Sequence, residues 1–148
     1  AFASHFAPDA LDQAMDIYRR DFKPSAQLDR PYAMAGFNVF AADSDEEGVR
    51  LSTSMQQSFA RLSTGKPGKL PPPVDDIAAV LTPQQIAGAQ SRLLYSAVGG
   101  PDTVRRKLAD FIALTGVDEL MVTGMMHDNA ARIRSLEIVA EARALPAA

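Results

Sequence analysis

Few side chains here are suited to chemistry, and they sit in a few short stretches. The 148-residue chain has two histidines, His5 and His127, and no cysteine. Without Cys there is no thiol nucleophile, disulfide framework or zinc-thiolate site, and two histidines cannot build a three-histidine metal centre. No metal is therefore expected. His127 stands beside Asp128, which suggests general acid/base work. Neighbours on a helix point in different directions, however, so the two are not expected to act as a dyad. They close the stretch Thr123-Gly124-Met125-Met126-His127-Asp128. There Gly124 permits a close approach, and Met125 and Met126 suit either an apolar substrate pocket or core filling. Ser4-His5-Phe6 offers a hydroxyl, an imidazole and an aromatic ring in a row; the plain reading is a partly exposed loop histidine beside a packing Phe. Asn38 is a polar residue in an apolar run, either facing a site or, as we favour, a satisfied core amide. Gly99-Gly100-Pro101 opens a helix, whose free N–H groups attract anions. Asp102 in that first turn would repel a phosphate, with Arg105 and Arg106 partly offsetting it, so a tight strand-to-helix junction is the better account. Asp45-Glu46-Glu47 and Asp75-Asp76 are explained by solvated helix starts or loops.

The elements that must position these groups are legible from periodicity and punctuation. Pro8 suits a first helical turn, and Leu11, Ala14, Met15 and Tyr18 follow at helical spacing to about Phe22. Residues 24–31 read as a loop. Residues 32–43, apolar and nearly free of charge, predict a strand buried on both faces, as in a parallel sheet. Ser44-x-x-Glu47 is a capping box, starting a long helix with Leu51, Met55, Phe59 and Leu62 on one face. Residues 64–76 are rich in Pro and Gly and predict a loop, part of an insertion over about 64–82. Thr82-Pro83-x-Gln85 caps a helix to about Leu94. Residues 96–104 predict a short extended piece, a Gly-Gly turn and a helix with Val104, Leu108, Phe111 and Ile112 inward, ended by Thr115-Gly116. Residues 119–126 predict a second buried strand. Asp128 then caps a closing helix over the stretch 127–145, with Ile133, Leu136 and Ala140 on its inner face.

Strands alternating with helices predict an α/β fold with parallel strands and helical crossovers. Two strands and a stub cannot bury both faces and both edges, so the chain reads as part of a larger α/β structure. Apolar residues make up 47% and charged residues 22%, the globular range. Net charge is −3 with scattered basic residues, which argues against nucleic acid as a partner. No run approaches a membrane span, and no basic segment precedes an apolar one as in a signal peptide; a cytoplasmic protein is the expectation.

The stretches ASHFAP (3–8), IYRRDFKPS (17–25), NVFAADSDEE (38–47), VGGP (98–101), TGVDELMV (115–122) and ARIRSLEIVAE (131–141) together resemble the C-terminal part of the luciferase-like monooxygenases, flavin-dependent relatives of bacterial luciferase. The resemblance implies a single partial domain over 1–148, the C-terminal portion of a (β/α)8 TIM barrel. Residues 2–5 would end strand six, 32–43 would be strand seven and 119–126 strand eight. It implies reduced FMN and O2 as co-reactants, a small organic substrate and possible supply by a flavin reductase; a related deazaflavin is the weaker alternative. Sites in such barrels lie at the C-terminal strand ends. That would place Ser4, His5 and Phe6 beside the flavin, with His5 as a hydrogen-bonding catalytic group. Gly99 and Gly100 would lie at a possible cofactor-binding turn, and Asn38, Met125 and Met126 in the substrate pocket. The family's phosphate-holding residues follow strand five, which is not in this chain, so the chain alone is expected to be inactive. The family pattern has an Asp-His pair near His127, where this chain has Asp128-Asn129 with the His one place earlier; a catalytic role for His127 is carried over only weakly. A non-enzymatic alternative is a partial barrel that pairs its open edges with another copy, or with a missing half.

Overall fold

The computed structural model describes residues 1–143; Ala144 and Leu145, which the sequence reading assigns to the last helix, lie outside them. A 3-10 turn, Pro8–Ala10, leads into α1 (Leu11–Asp21). Then come β1 (Met34–Ala41), α2 (Asp45–Ser63), α3 (Pro83–Arg92), β2 (Ser96–Gly99), α4 (Pro101–Thr115), β3 (Glu119–Thr123) and α5 (Asn129–Arg143). The strands form one parallel sheet in the order β2-β1-β3. This is the expected α/β arrangement, with helices making each crossover.

β1 is the central strand, and all its residues but the first are buried. Its edge toward β2 is shared. Phe2 makes a parallel bridge to Ala35, with its N–H on the Met34 carbonyl at 2.8 Å. Further on, β2 pairs with residues 38–41 in the register Asn38↔Ser96 to Ala41↔Gly99. The extended piece at 96–99 is thus a third sheet strand, a membership not anticipated from its four residues. The stretch 2–5 enters the sheet through this one parallel bridge alongside β1.

Side chains alternate across the sheet, so its two faces have different covers. Ala35, Phe37, Val39 and Ala41 join Leu11, Met15, Val104, Phe111 and Ile138 in a core beneath α1, α4 and α5. Phe37 and Tyr95 both pack on the Phe111 ring, at 4.6 and 5.1 Å between centroids. Phe40 and Ala42 on the other face pack with Leu51, Phe59, Ala89, Leu93 and Met126, beneath α2 and α3. The start of that second face, around Gly36 and Met121, has no helix over it among the described residues.

The helix ends follow the sequence signals closely. Thr82 and Gln85 form a reciprocal capping box on α3. Ser44 caps α2 by accepting from Glu47 N–H at 3.2 Å, but the Glu47 carboxylate turns to Arg50, with two contacts of 2.7 Å. Gly116 closes α4 at φ 58, and Arg19 of α1 donates to the last α4 carbonyls, Thr115 O at 2.6 Å and Gly116 O at 2.8 Å. Leu62, Tyr18 and Ile112, expected inward, are exposed.

Two expectations are corrected. β3 is not a buried strand: it is an edge strand, and Met121 is 60% exposed. α5 is turned from the expected face, with Ile133 and Leu136 exposed and Ser135 and Ile138 buried. The reason is a backbone donor. Beyond Thr123 no β3 residue pairs with β1, so the Ala41 N–H is answered by the Ser135 hydroxyl at 3.0 Å, and that bond sets the rotation of the helix.

Candidate functional site

At the start of the second sheet face the His5 segment, rather than a described helix, covers Gly36 and Asn38 and leaves Met121 exposed. Its floor is Gly36 and Asn38 on β1 with Met121 and Thr123 opposite on β3. His5 lies over Gly36. A Cβ at position 36 would overlap the His5 Nδ1, so a glycine is required for the imidazole to sit there. The backbone that carries His5 is fixed from both sides. Ser4 Oγ donates to Gly36 O at 2.6 Å and Asn38 Nδ2 donates to His5 O at 2.7 Å. The His5 Nδ1 itself is sealed from solvent and has no partner.

Ser4 turns its hydroxyl onto the sheet, and Asn38 commits its Nδ2 to His5 O while its Oδ1 has no hydrogen-bond partner among the described residues. Both are buried, and both spend their donors on holding the His5 segment against the sheet. Asn38 is a buried amide with one end bonded to the His5 backbone, and the Ser4 hydroxyl is spent on the Gly36 carbonyl. Phe6 is exposed rather than packed. Met125 and Met126 separate: Met125 is exposed, whereas Met126 is buried in the core under α2 and so does not line a pocket. Gly124 is needed where it stands, because a Cβ would overlap the Val39 carbonyl oxygen.

His127 is exposed, and it and Asp128 bond different partners. Its Nδ1 hydrogen-bonds the Leu70 carbonyl at 3.1 Å, while Asp128 caps α5 by accepting from Ala131 N–H at 2.8 Å. Leu70 belongs to the Pro-rich loop, which α2 also holds: Thr53 Oγ1 accepts from Val74 N–H at 2.9 Å and Gln57 donates to Pro72 O at 3.0 Å. The sequence joined none of these loop contacts to His127, since no local spacing signals a side chain bonding a carbonyl 57 residues away.

The Gly99-Gly100 turn is corrected as an anion site. Asp45 has already filled it, accepting from Gly100 N–H at 2.7 Å and from Thr103 Oγ1 at 3.1 Å. Those bonds, the backbone one foremost, hold the Asp45 carboxyl below its ordinary range. A second anion at α4 would meet a fixed carboxylate. A shallow cavity of about 300 Å³ lies beyond β1, floored by Ala41, Ala42, Leu51 and Ala131 and rimmed by Asp43, Glu47 and Arg134. Arg134 is committed there to Asp43 at 2.9 Å and to Glu141 at 3.2 Å. No group of three or more His, Asp or Glu suited to a metal ion occurs among the described residues, and no described helix is long and apolar enough to cross a membrane.

These residues can be tested against the flavin that the sequence resemblance implies. A sheet face carrying an imidazole and the exposed Met121 fits a flat heteroaromatic ring. The start of α4, occupied by Asp45, does not fit the ring's phosphate.

No family model matches the chain. Among known proteins it is 45% identical over 143 residues to a luciferase-like monooxygenase of Escherichia coli K12, covering 97% of this chain and 43% of that protein. It is 43% identical to the uncharacterized protein YvbT of Bacillus subtilis, covering 95% and 42%. The chain thus spans less than half the length of these relatives. Among solved structures, apo-MsnO8 superposes with a TM-score of 0.76 at 30% identity, over 98% of this chain and 45% of that one. The monooxygenase RslO1 from Streptomyces bottropensis, at 18% identity and a TM-score of 0.52, shares the fold. The three-stranded parallel sheet with its crossover helices is part of a larger barrel. The chain thus matches a C-terminal part of proteins named luciferase-like monooxygenase.

Proposed function

We propose that the barrel containing this chain is a flavin-dependent monooxygenase acting on a small organic substrate, and that the uncovered face around His5 contributes to its ring-binding wall. The observation that carries this reading is the His5 imidazole, fixed over Gly36 by Ser4 and Asn38 on a face that no described helix covers. When bound, reduced FMN supplies the electrons that activate O2; the chemistry is the cofactor's, and the protein binds, orients and excludes water. In this division His5 orients the ring edge. Met121 and Met125 offer adaptable apolar surface to ring or substrate. The cofactor's phosphate belongs to residues outside this chain.

The reading is tested by fusing the N-terminal part of the Escherichia coli relative to this chain. Measurable O2 consumption driven by reduced FMN is expected from the fusion. Consumption with reduced deazaflavin but not FMN would move the reading to the deazaflavin alternative, and none with either would end it. The chain by itself should bind FMN no tighter than a Kd of about 1 μM, because a ring held without its phosphate forfeits the charge-assisted contacts.

A second reading, self-association of the chain or complementation by a missing half, is favoured by β3. Its outer edge is unpaired among the described strands, and exposed Met121, Ile133 and Leu136 lie on β3 and the helix that follows it. Supply of reduced flavin by a separate reductase, and a cytoplasmic setting, belong to the same proposal.

A further inference from the structure

We propose that a cavity on the side of α2 away from the sheet binds a small carboxylic acid carrying an apolar side chain and an N–H donor, the chemistry of an N-acyl amino acid. The cavity, of about 320 Å³, is lined by Gln57, Ala60 and Arg61 of α2 and by Val80, Leu81 and Gln85 at the start of α3. An α-helix turns about 100° per residue. Leu51, Met55 and Phe59 pack toward the sheet with Phe40, so the row Gln57, Ala60 and Arg61 centres on the opposite side of the helix. The site is therefore separate from the wall around His5.

Three polar side chains there have defined roles. Gln57 is 8% exposed, and its Nε2 donates to Pro72 O at 3.0 Å. A carbonyl only accepts, so this amide cannot be flipped. The Gln57 Oε1 has no partner among the described residues and is not sealed from solvent, which leaves it as an acceptor where the residue meets the cavity. Gln85 is fixed in the reverse sense. Its Oε1 accepts from Thr82 N–H at 2.9 Å and from Thr82 Oγ1 at 3.1 Å, and its Nε2 has no partner among the described residues. Arg61 donates from Nη1 to Lys69 O at 3.4 Å and forms no ion pair among the described residues. No carboxylate lines the cavity. Residues 61–69 hold Arg61, Lys66 and Lys69 and no acid, so the rim is positive although the chain carries −3 overall.

Each group assigns part of the ligand. Arg61 and the Gln85 amide donate, as the two oxygens of a carboxylate require. Gln57 Oε1 accepts, as an amide N–H requires. Ala60, Val80 and Leu81 give an apolar floor, and Val80 is half-exposed, leaving surface for a branched alkyl group to cover. An inorganic anion would use Arg61 but neither the acceptor nor the floor. The volume is at the small end of ligand sites, which suits one acylated residue rather than a longer chain.

The test titrates the nitrogen-15-labelled chain with N-acetyl-L-leucine at about pH 7 and follows its amide spectrum. Saturable shifts are expected at the side-chain NH2 signals of Gln57 and Gln85. N-acetyl-L-leucinamide, which lacks the charge, should bind about ten-fold more weakly, and 4-methylpentanoate, which lacks the N–H, about five-fold more weakly. Arg61→Ala should weaken binding of the acid about ten-fold. Gln85→Glu keeps the acceptor that caps Thr82 but sets a carboxylate oxygen where the free NH2 stood, and should abolish binding with the rest of the spectrum unchanged. Equal binding of acid and amide, unchanged affinity in Arg61→Ala, or shifts that never saturate would each overturn the site. A hexapeptide ending in Leu carries the same terminal groups; tighter binding by it than by N-acetyl-L-leucine would overturn the small-molecule assignment. None of these measurements involves flavin, so they stand or fall apart from the flavin reading above.

Discussion

Asp45 is the first residue of α2, and its carboxylate closes the start of α4 by taking Gly100 N–H and Thr103 Oγ1. A carboxylate whose ionised form is hydrogen-bonded in the native state has a lowered native pKa. The stability it contributes is present above its unfolded value of about 3.9 and is lost as pH falls through the lower native value. Asp45→Asn should therefore lower the urea midpoint at about pH 7, and the gap from the parent chain should close toward about pH 2. A gap that persists in acid would mean that the charge is not what matters. Gly124 is a steric case. Gly124→Ala would press a methyl into Val39 O and should cost about 1–3 kcal/mol, as overpacking does, read by chemical denaturation. At this scale the sequence revealed the local caps, Ser44 and the Thr82–Gln85 pair, because capping acts over three residues. It did not reveal Asp45 on Gly100 or His127 on Leu70, which join residues more than fifty positions apart.

α5 illustrates what decides an element's orientation. Its sequence offers two faces, Ile133-Leu136-Ala140 and Ala131-Ser135-Ile138. Counting apolar residues favours the first, and the sheet takes the second, because Ala41 N–H needs an acceptor where β3 has stopped pairing. Ser135→Ala should leave that buried donor unsatisfied and cost about 1–3 kcal/mol, with faster amide exchange at Ala41 as the specific sign. Loss of stability without faster exchange at Ala41 would contradict this account. β1 was legible from sequence because a strand buried on both faces is apolar at every position. β2 was not legible as a sheet member, since four residues carry no periodicity and its place depends on where Phe2 leaves the β1 edge free.

For the molecule as a whole, the outer edge of β3, unpaired among the described residues, dominates. Unpaired strand edges and uncovered apolar residues invite pairing with further chain, and Met121 at 60%, Ile133 at 50% and Leu136 at 46% exposure lie on β3 and α5. The 148-residue chain alone should therefore self-associate in a concentration-dependent way by light scattering, and Met121→Lys should reduce the association. A monodisperse monomer at high concentration would contradict it. The order of elements, the parallel sheet, the helix caps and the resemblance to the luciferase-like monooxygenases were determined by the sequence alone, since each rests on local periodicity, local capping or a run of matching residues. Which face of α5 is buried, where Asp45 and His127 make their bonds, and that Ser4 and Asn38 serve to seat His5 over Gly36 were decided only by tertiary structure. In each case a backbone donor or acceptor left over by the sheet or a loop had to find a distant partner, and no nearby residue records which one it finds.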